Sequence, residues 1–168
     1  AVAIAEKAEQ VLILAGLPPL FEAEGFDRTT LKQLAQIDRL IEAVSAANPN
    51  CAVILSNGSP IEMPWLDQVP AVLETYLGGQ AGAEAMADLV FGKQSPSGKL
   101  AETFPLSLAD VPSQPNFANH PRQIVYREGL NVGYRAYGGA QDGVLFPFGH
   151  GLSYTEFSYD KLKVSGQY

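Results

Sequence analysis

The chain has 168 residues and a net charge of -7, with 46% hydrophobic and 17% charged residues. That is enough apolar material for one core and too little charge for a disordered chain. Lysine and arginine are scattered, which argues against nucleic acid and anionic membrane surfaces as partners, and no stretch approaches the ~20 apolar residues of a membrane span.

AVAIAEKAEQ (1–10) reads as helix-like. VLILAGL (11–17) is apolar throughout, which suits a strand buried on both faces. FEAEGFDR (21–28) follows it and sets two carboxylates and an Asp-Arg pair around one glycine. From Thr30, the residues Leu31, Leu34, Ile37, Ile41 and Val44 recur at spacings of three and four, predicting an amphipathic helix. Asp27, Thr29 or Thr30 is placed to cap its start, and Asn48-Pro49 ends it. CAVILSNG (51–58) predicts a second buried strand, PWL (64–66) a short helical turn and AVLETYL (71–77) a third strand. Gly78-Gly79 leads into a helix over 80–92, with Gly92 as its stop. SPSGKLAETFP (95–105) predicts a turn and a short strand. Prolines 105, 112, 115 and 121 and weak periodicity mark 106–123 as a long surface loop. The remainder is dense in aromatics and glycine.

Strands joined by helical crossovers of more than ten residues imply parallel pairing. The expected fold is therefore α/β, a layered sandwich with a mostly parallel sheet flanked by helices, as one domain over 1–168. Three or four clear strands make a small sheet, so an incomplete copy of a larger one is expected.

A loop at the carboxyl end of a parallel strand is where open α/β sheets place ligand sites. Glu22 and Glu24 both sit in such a loop, and either serves as a general acid if its surroundings raise its pKa. The plainer reading is a polar loop in which Asp27 caps the helix, Arg28 is solvated and both glutamates face water. Gly78-Gly79 resembles a phosphate cradle only loosely, because neither GxGxxG nor a Lys-Ser/Thr phosphate loop is present. The aromatics Tyr126, Tyr134, Tyr137, Phe146, Phe148, Tyr154, Phe157 and Tyr159 either stack on a sugar or pack loops onto the core. Glu128 and Arg135 are spaced for a structural salt link, and His150, between glycines, reads as a turn residue. His120 and His150 show no metal-ligand spacing. Cys51, the one cysteine, reads as a core residue with no partner for an intrachain disulfide, and it fits cytoplasm, periplasm and secretion alike. No metal or cofactor is expected.

EAEGFDR, NGSPIEMPW, GGQAGAEAMADLVFGKQSPSGKLAETFP, VYREGLNVGYRAY and LFPFGHGLSYTEFSY occur in that order. Together they resemble the second, α/β-sandwich domain of glycoside hydrolase family 3, in its β-glucosidase-like branch. Each motif is weak alone, while the ordered set, from about Val11 to Tyr159, is specific. The resemblance implies retaining hydrolysis of terminal β-linked sugars, which uses two carboxyl groups about 5–5.5 Å apart. It implies an Asp nucleophile on a preceding (β/α)8-barrel domain and an acid/base from the loop matching EAEGFDR. Carried onto this chain, that role falls to Glu24, with Glu22 in reserve, and Asp27 and Arg28 shape the loop.

The implied partners are a β-glucoside or related oligosaccharide and the barrel domain. The chain is expected to be part of a longer protein, inactive as a hydrolase alone. It is also expected to form homo-oligomers through the apolar face where a barrel would dock. Two other readings compete: a non-catalytic sugar-binding or scaffold module, and a nucleotide-binding α/β module.

Overall fold

A computed structural model describes residues 1–117, 122–138 and 142–166. His120 and part of the expected surface loop lie outside the described residues. Strands β1 (Val11–Gly16), β2 (Cys51–Ser56) and β3 (Val72–Glu74) form a parallel sheet in the order β1-β2-β3. Val11 lies opposite Cys51 and Gly16 opposite Ser56. Gly16 is required there, because a Cβ would fall 2.1 Å from the Ser56 carbonyl oxygen. Helices α1 (Val2–Ala5), α2 (Ala35–Ala47) and α3 (Gly82–Val90) accompany the sheet. A second, antiparallel pair joins β4 (Phe104–Pro105) to β5 (Val144–Phe146).

The 3.6-residue spacing of α2 turns Ile41 and Val44 inward, where they join Ile13, Val53 and Leu55 of the sheet in one core. Ile61, Met63 and Trp65 fill the rest of that core, and Phe104 closes it. The α/β expectation holds, with a parallel sheet of three strands among the described residues.

Four local expectations change. First, β1 is not buried on both faces: Leu12 is 47% and Leu14 70% exposed, while Ile13 between them is buried. Alternation places them on the face opposite the α2 core. Second, α2 starts at Ala35 rather than Thr30, and none of Asp27, Thr29 and Thr30 caps it. Thr30 Oγ1 accepts the Lys32 N–H at 3.1 Å, and the Leu31 carbonyl accepts the Glu62 N–H at 2.9 Å. These bonds hold 30–34 outside the helix, as hydroxyl side chains that bond nearby backbone tend to do. Third, β3 ends at Glu74 rather than Leu77, because the Glu74 carboxylate captures the Tyr76 N–H and Tyr76 turns to φ +45°. Fourth, the helical opening is a single turn, Val2–Ala5.

The start of α2 is tied to the core by one carboxylate. Asp38 Oδ1 accepts from Gln33 Nε2 at 2.8 Å and from Trp65 Nε1 at 3.0 Å. Gln33 and Trp65 are both buried. Asp38→Ala leaves both donors unpaired and is expected to cost about 1–3 kcal/mol. Urea unfolding at unchanged slope measures it. A loss below about 0.5 kcal/mol would mean that neither bond matters.

Candidate active site

The loop after β1 folds back on itself. Ala23 and Phe26 form an antiparallel bridge, so Glu24 and Gly25 occupy the tip of a tight hairpin. Glu24 is exposed there, and so is Asp27. Arg28 turns away from Asp27 and toward the loop after β2. Its Nη1 donates to Ser59 Oγ at 2.8 Å and to the Pro60 carbonyl at 3.0 Å, and lies 3.8 Å from Glu22 Oε1. Burial pulls the Arg28 pKa down and the Glu22 charge opposes it.

Glu22 is anchored in the same place. Its Oε2 accepts the Gly58 N–H at 2.6 Å, and its Oε1 accepts the Ser59 hydroxyl. Such charge-assisted bonds are the strong ones. The turn 57–60 therefore holds both Glu22 and Arg28. The structure brings those two residues together and leaves Glu24 and Asp27 outside their contacts.

A second carboxylate stands behind that turn. Glu74, the last residue of β3, accepts the Tyr76 N–H on Oε1 at 2.7 Å and Asn57 Nδ2 on Oε2 at 3.2 Å. Burial pushes its pKa up to about 7; the Tyr76 and Asn57 hydrogen bonds oppose this, and the Glu102 and Glu22 charges add to it. Burial likewise raises Glu102. Tyr76 is pushed up to about 12, first by burial and then by Glu102 and Glu74. Its buried hydroxyl makes no hydrogen bond of normal geometry, yet Glu102 lies near enough to act on it. Glu22, Glu74 and Glu102 thus share one acidic neighbourhood where strands of a parallel sheet end, the usual place for chemistry in such folds. Sequence reasoning did not single out Glu74, Glu102, Asn57 or Ser59. The available signal was NGSP directly after β2 and a glutamate within the apolar run of β3.

The raised Glu74 pKa makes stability depend on pH. The folded chain holds a proton that the unfolded chain, with the ordinary value of 4.5, releases earlier. The stabilising contribution is full below about 4.5 and is lost as pH rises through about 7. Relative to Glu74→Gln, the native chain should lose on the order of 2 kcal/mol across that window, allowing for solvent screening. Chemical unfolding of both proteins at stepped pH measures it, and parallel pH curves would contradict it.

Other expected features sort differently. Phe146 stacks on His150 at 4.8 Å and Tyr134 on Phe148 at 4.7 Å, so these aromatics pack loops. Tyr126, Tyr154, Phe157 and Tyr159 are exposed. The His150 N–H bonds the Pro147 carbonyl in a turn. Arg135 lies over the Tyr134 ring, 5.8 Å from its centre, rather than pairing with Glu128. Cys51 is a buried free thiol. Among the described residues, no cluster of three His, Cys, Asp or Glu side chains is arranged to hold a metal.

Residues 1–154 match the Glycosyl hydrolase family 3 C-terminal domain. The chain is 52% identical over 160 residues to Thermostable beta-glucosidase B of Acetivibrio thermocellus, covering 95% of this chain and 21% of that protein. It is 45% identical over 166 residues to the Exo-alpha-(1->6)-L-arabinopyranosidase of Bifidobacterium longum, covering 98% and 22%. The β-glucosidase of Kluyveromyces marxianus, solved in complex with glucose, superposes with a TM-score of 0.87 at 37% identity. That match covers 92% of this chain and 18% of the other. The GH3 β-glucosidase of Bifidobacterium adolescentis gives 0.86 at 47% identity, covering 91% and 23%. The chain spans about a fifth of the length of the curated relatives it matches.

Proposed function

The chain belongs to glycosyl hydrolase family 3, as its C-terminal domain, and we propose that it forms the acid/base-bearing domain of a retaining β-glycosidase acting on terminal β-linked sugars. The single α/β domain over 1–168 works in this reading with a (β/α)8 barrel whose aspartate is the nucleophile. The observation that carries the assignment is the contrast between the two loop glutamates. Glu22 accepts from Gly58 and Ser59 and faces Arg28, so both of its oxygens are already engaged. Glu24, on the hairpin tip, is exposed and can reach an incoming ligand.

The chemistry runs in two steps. The barrel aspartate attacks the anomeric carbon as the bond to the leaving oxygen breaks, and the Glu24 carboxylic acid protonates that oxygen. The Glu24 carboxylate then takes a proton from water, whose oxygen displaces the aspartate with retention. Asp27 and Arg28 serve the loop: Arg28 fastens it to 57–60 and Asp27 precedes that anchor.

A glucoside substrate draws support from relatives named as β-glucosidases and from the K. marxianus enzyme with glucose. A relative named for arabinopyranoside cleavage is nearly as similar, which fits a domain that supplies the proton while the barrel selects the sugar. The experiment compares Glu24→Gln with Glu22→Gln on glucosides of graded leaving-group acidity, in a hydrolase carrying this chain.

A further inference from the structure

We infer that Glu74 is a positioning residue, which acts through Asn57 and the 57–60 turn to fix Glu22 and Arg28 and so the hairpin that presents Glu24. The part about Glu24 rests on the acid/base reading above; the part about the turn does not. Asn57 is fully buried, and its side-chain NH2 has two protons to place. One goes to Glu74 Oε2 at 3.2 Å and the other to the Ser59 carbonyl at 2.8 Å. That pair of bonds ties the end of β3 to the turn after β2. The neighbouring Gly58 N–H and Ser59 hydroxyl hold Glu22, and Ser59 with the Pro60 carbonyl holds Arg28. Glu22 and Arg28 bracket the bridge between Ala23 and Phe26. The bonds from Asn57 to Glu74 and from Gly58 and Ser59 to Glu22 and Arg28 join groups 17 to 37 residues apart in the chain, so a change at Glu74 is transmitted to the hairpin base.

The connection is sensitive to the charge on Glu74. Both of its oxygens face N–H donors, which suits the carboxylate. Burial, Glu102 and Glu22 favour the acid instead. The groups acting on it are Tyr76 on its own segment, Glu102 ahead of β4 and Glu22 from the β1 loop. Glutamine offers one acceptor where two donors point, so Glu74→Gln must strand either Asn57 or Tyr76.

The test uses amide resonances of the full chain. In the native protein, Gly58 and Gly25 N–H signals should titrate together near pH 7, and Glu74→Gln should abolish that step. Hydrogen exchange at Gly58 should speed up about tenfold in Glu74→Gln, with Glu74→Asp intermediate. In a hydrolase carrying the chain, Glu74→Gln should lower kcat about tenfold with KM within about twofold, and shift the limb of the pH–rate profile near 7. A folded Glu74→Gln with native Gly58 and Gly25 signals would overturn the inference. If Glu74→Gln does not fold, absence of the shared titration step in the native chain would overturn it equally. Should Gly58 respond as expected while Glu24→Gln shows no leaving-group dependence, the link from Glu74 to the turn stands and the role of Glu24 falls.

Discussion

Glu24→Gln, in a hydrolase carrying this chain, should lose about 10²–10⁴-fold in kcat/KM on an alkyl glucoside and far less on a nitrophenyl glucoside. The reason is proton demand. An alkoxide is a poor leaving group and needs the acid as the bond breaks, whereas a nitrophenolate departs with little help. Glutamine keeps the shape of the side chain and removes only the proton. Glu22→Gln should behave otherwise. Glu22 accepts from the Gly58 N–H and the Ser59 hydroxyl and pairs with Arg28. Amide substitution there loosens the hairpin, so both substrates should slow alike. Steady-state kinetics on the two substrate classes decide the matter. Equal losses on both for Glu24→Gln would remove Glu24 from the role. A leaving-group effect confined to Glu22→Gln would transfer the role to that residue.

Trp65→Ala should cost about 3–5 kcal/mol of folding stability. Trp65 is 0% exposed and sits in the core with Ile61, Met63 and Phe104. Its truncation removes a large apolar volume that well-packed neighbours cannot refill. It also strips Asp38 Oδ1 of the indole donor that links α2 to the segment after β2. Domains of this size are stable by only about 5–15 kcal/mol, so much of the native margin is at stake. Equilibrium unfolding in urea measures the loss, and Trp65→Phe should recover part of it through packing alone. A cost below about 1 kcal/mol for the alanine variant would mean that the core relaxes around the gap.

Much of the fold was legible from local pattern. VLILAG and CAVILS read as strands and formed them, the repeat Ile37, Ile41, Val44 read as a helix face and became one, and the alanine-rich run before Gly92 holds α3. Periodicity carries this information because a strand or helix buries side chains at a fixed spacing, whatever covers it. The motif order likewise identified the family. Element ends were less legible. The start of α2 is set by the bond between Leu31 and Glu62, and the end of β3 by the Glu74 carboxylate, both competitors that no propensity of residues 30–34 or 75–77 announces.

Site electrostatics were least legible, for the same reason carried further. FEAEGFDR suggests an Asp-Arg pair and two equivalent glutamates. In three dimensions Arg28 turns to Glu22 and Ser59, one glutamate is bound and the other is exposed. Ser59 and the Gly58 N–H that binds Glu22 come from the turn after β2, more than thirty residues along the chain. The parallel register of β1 and β2 brings the two loops side by side. Glu74 shows the same dependence: as a residue in an apolar run it is unremarkable, and only burial beside Glu22 and Glu102 raises its pKa. Hydrophobic spacing is a property of neighbours in sequence, so it survives being read one residue at a time. The partner and charge state of a carboxylate depend on which distant groups the folded sheet sets against it.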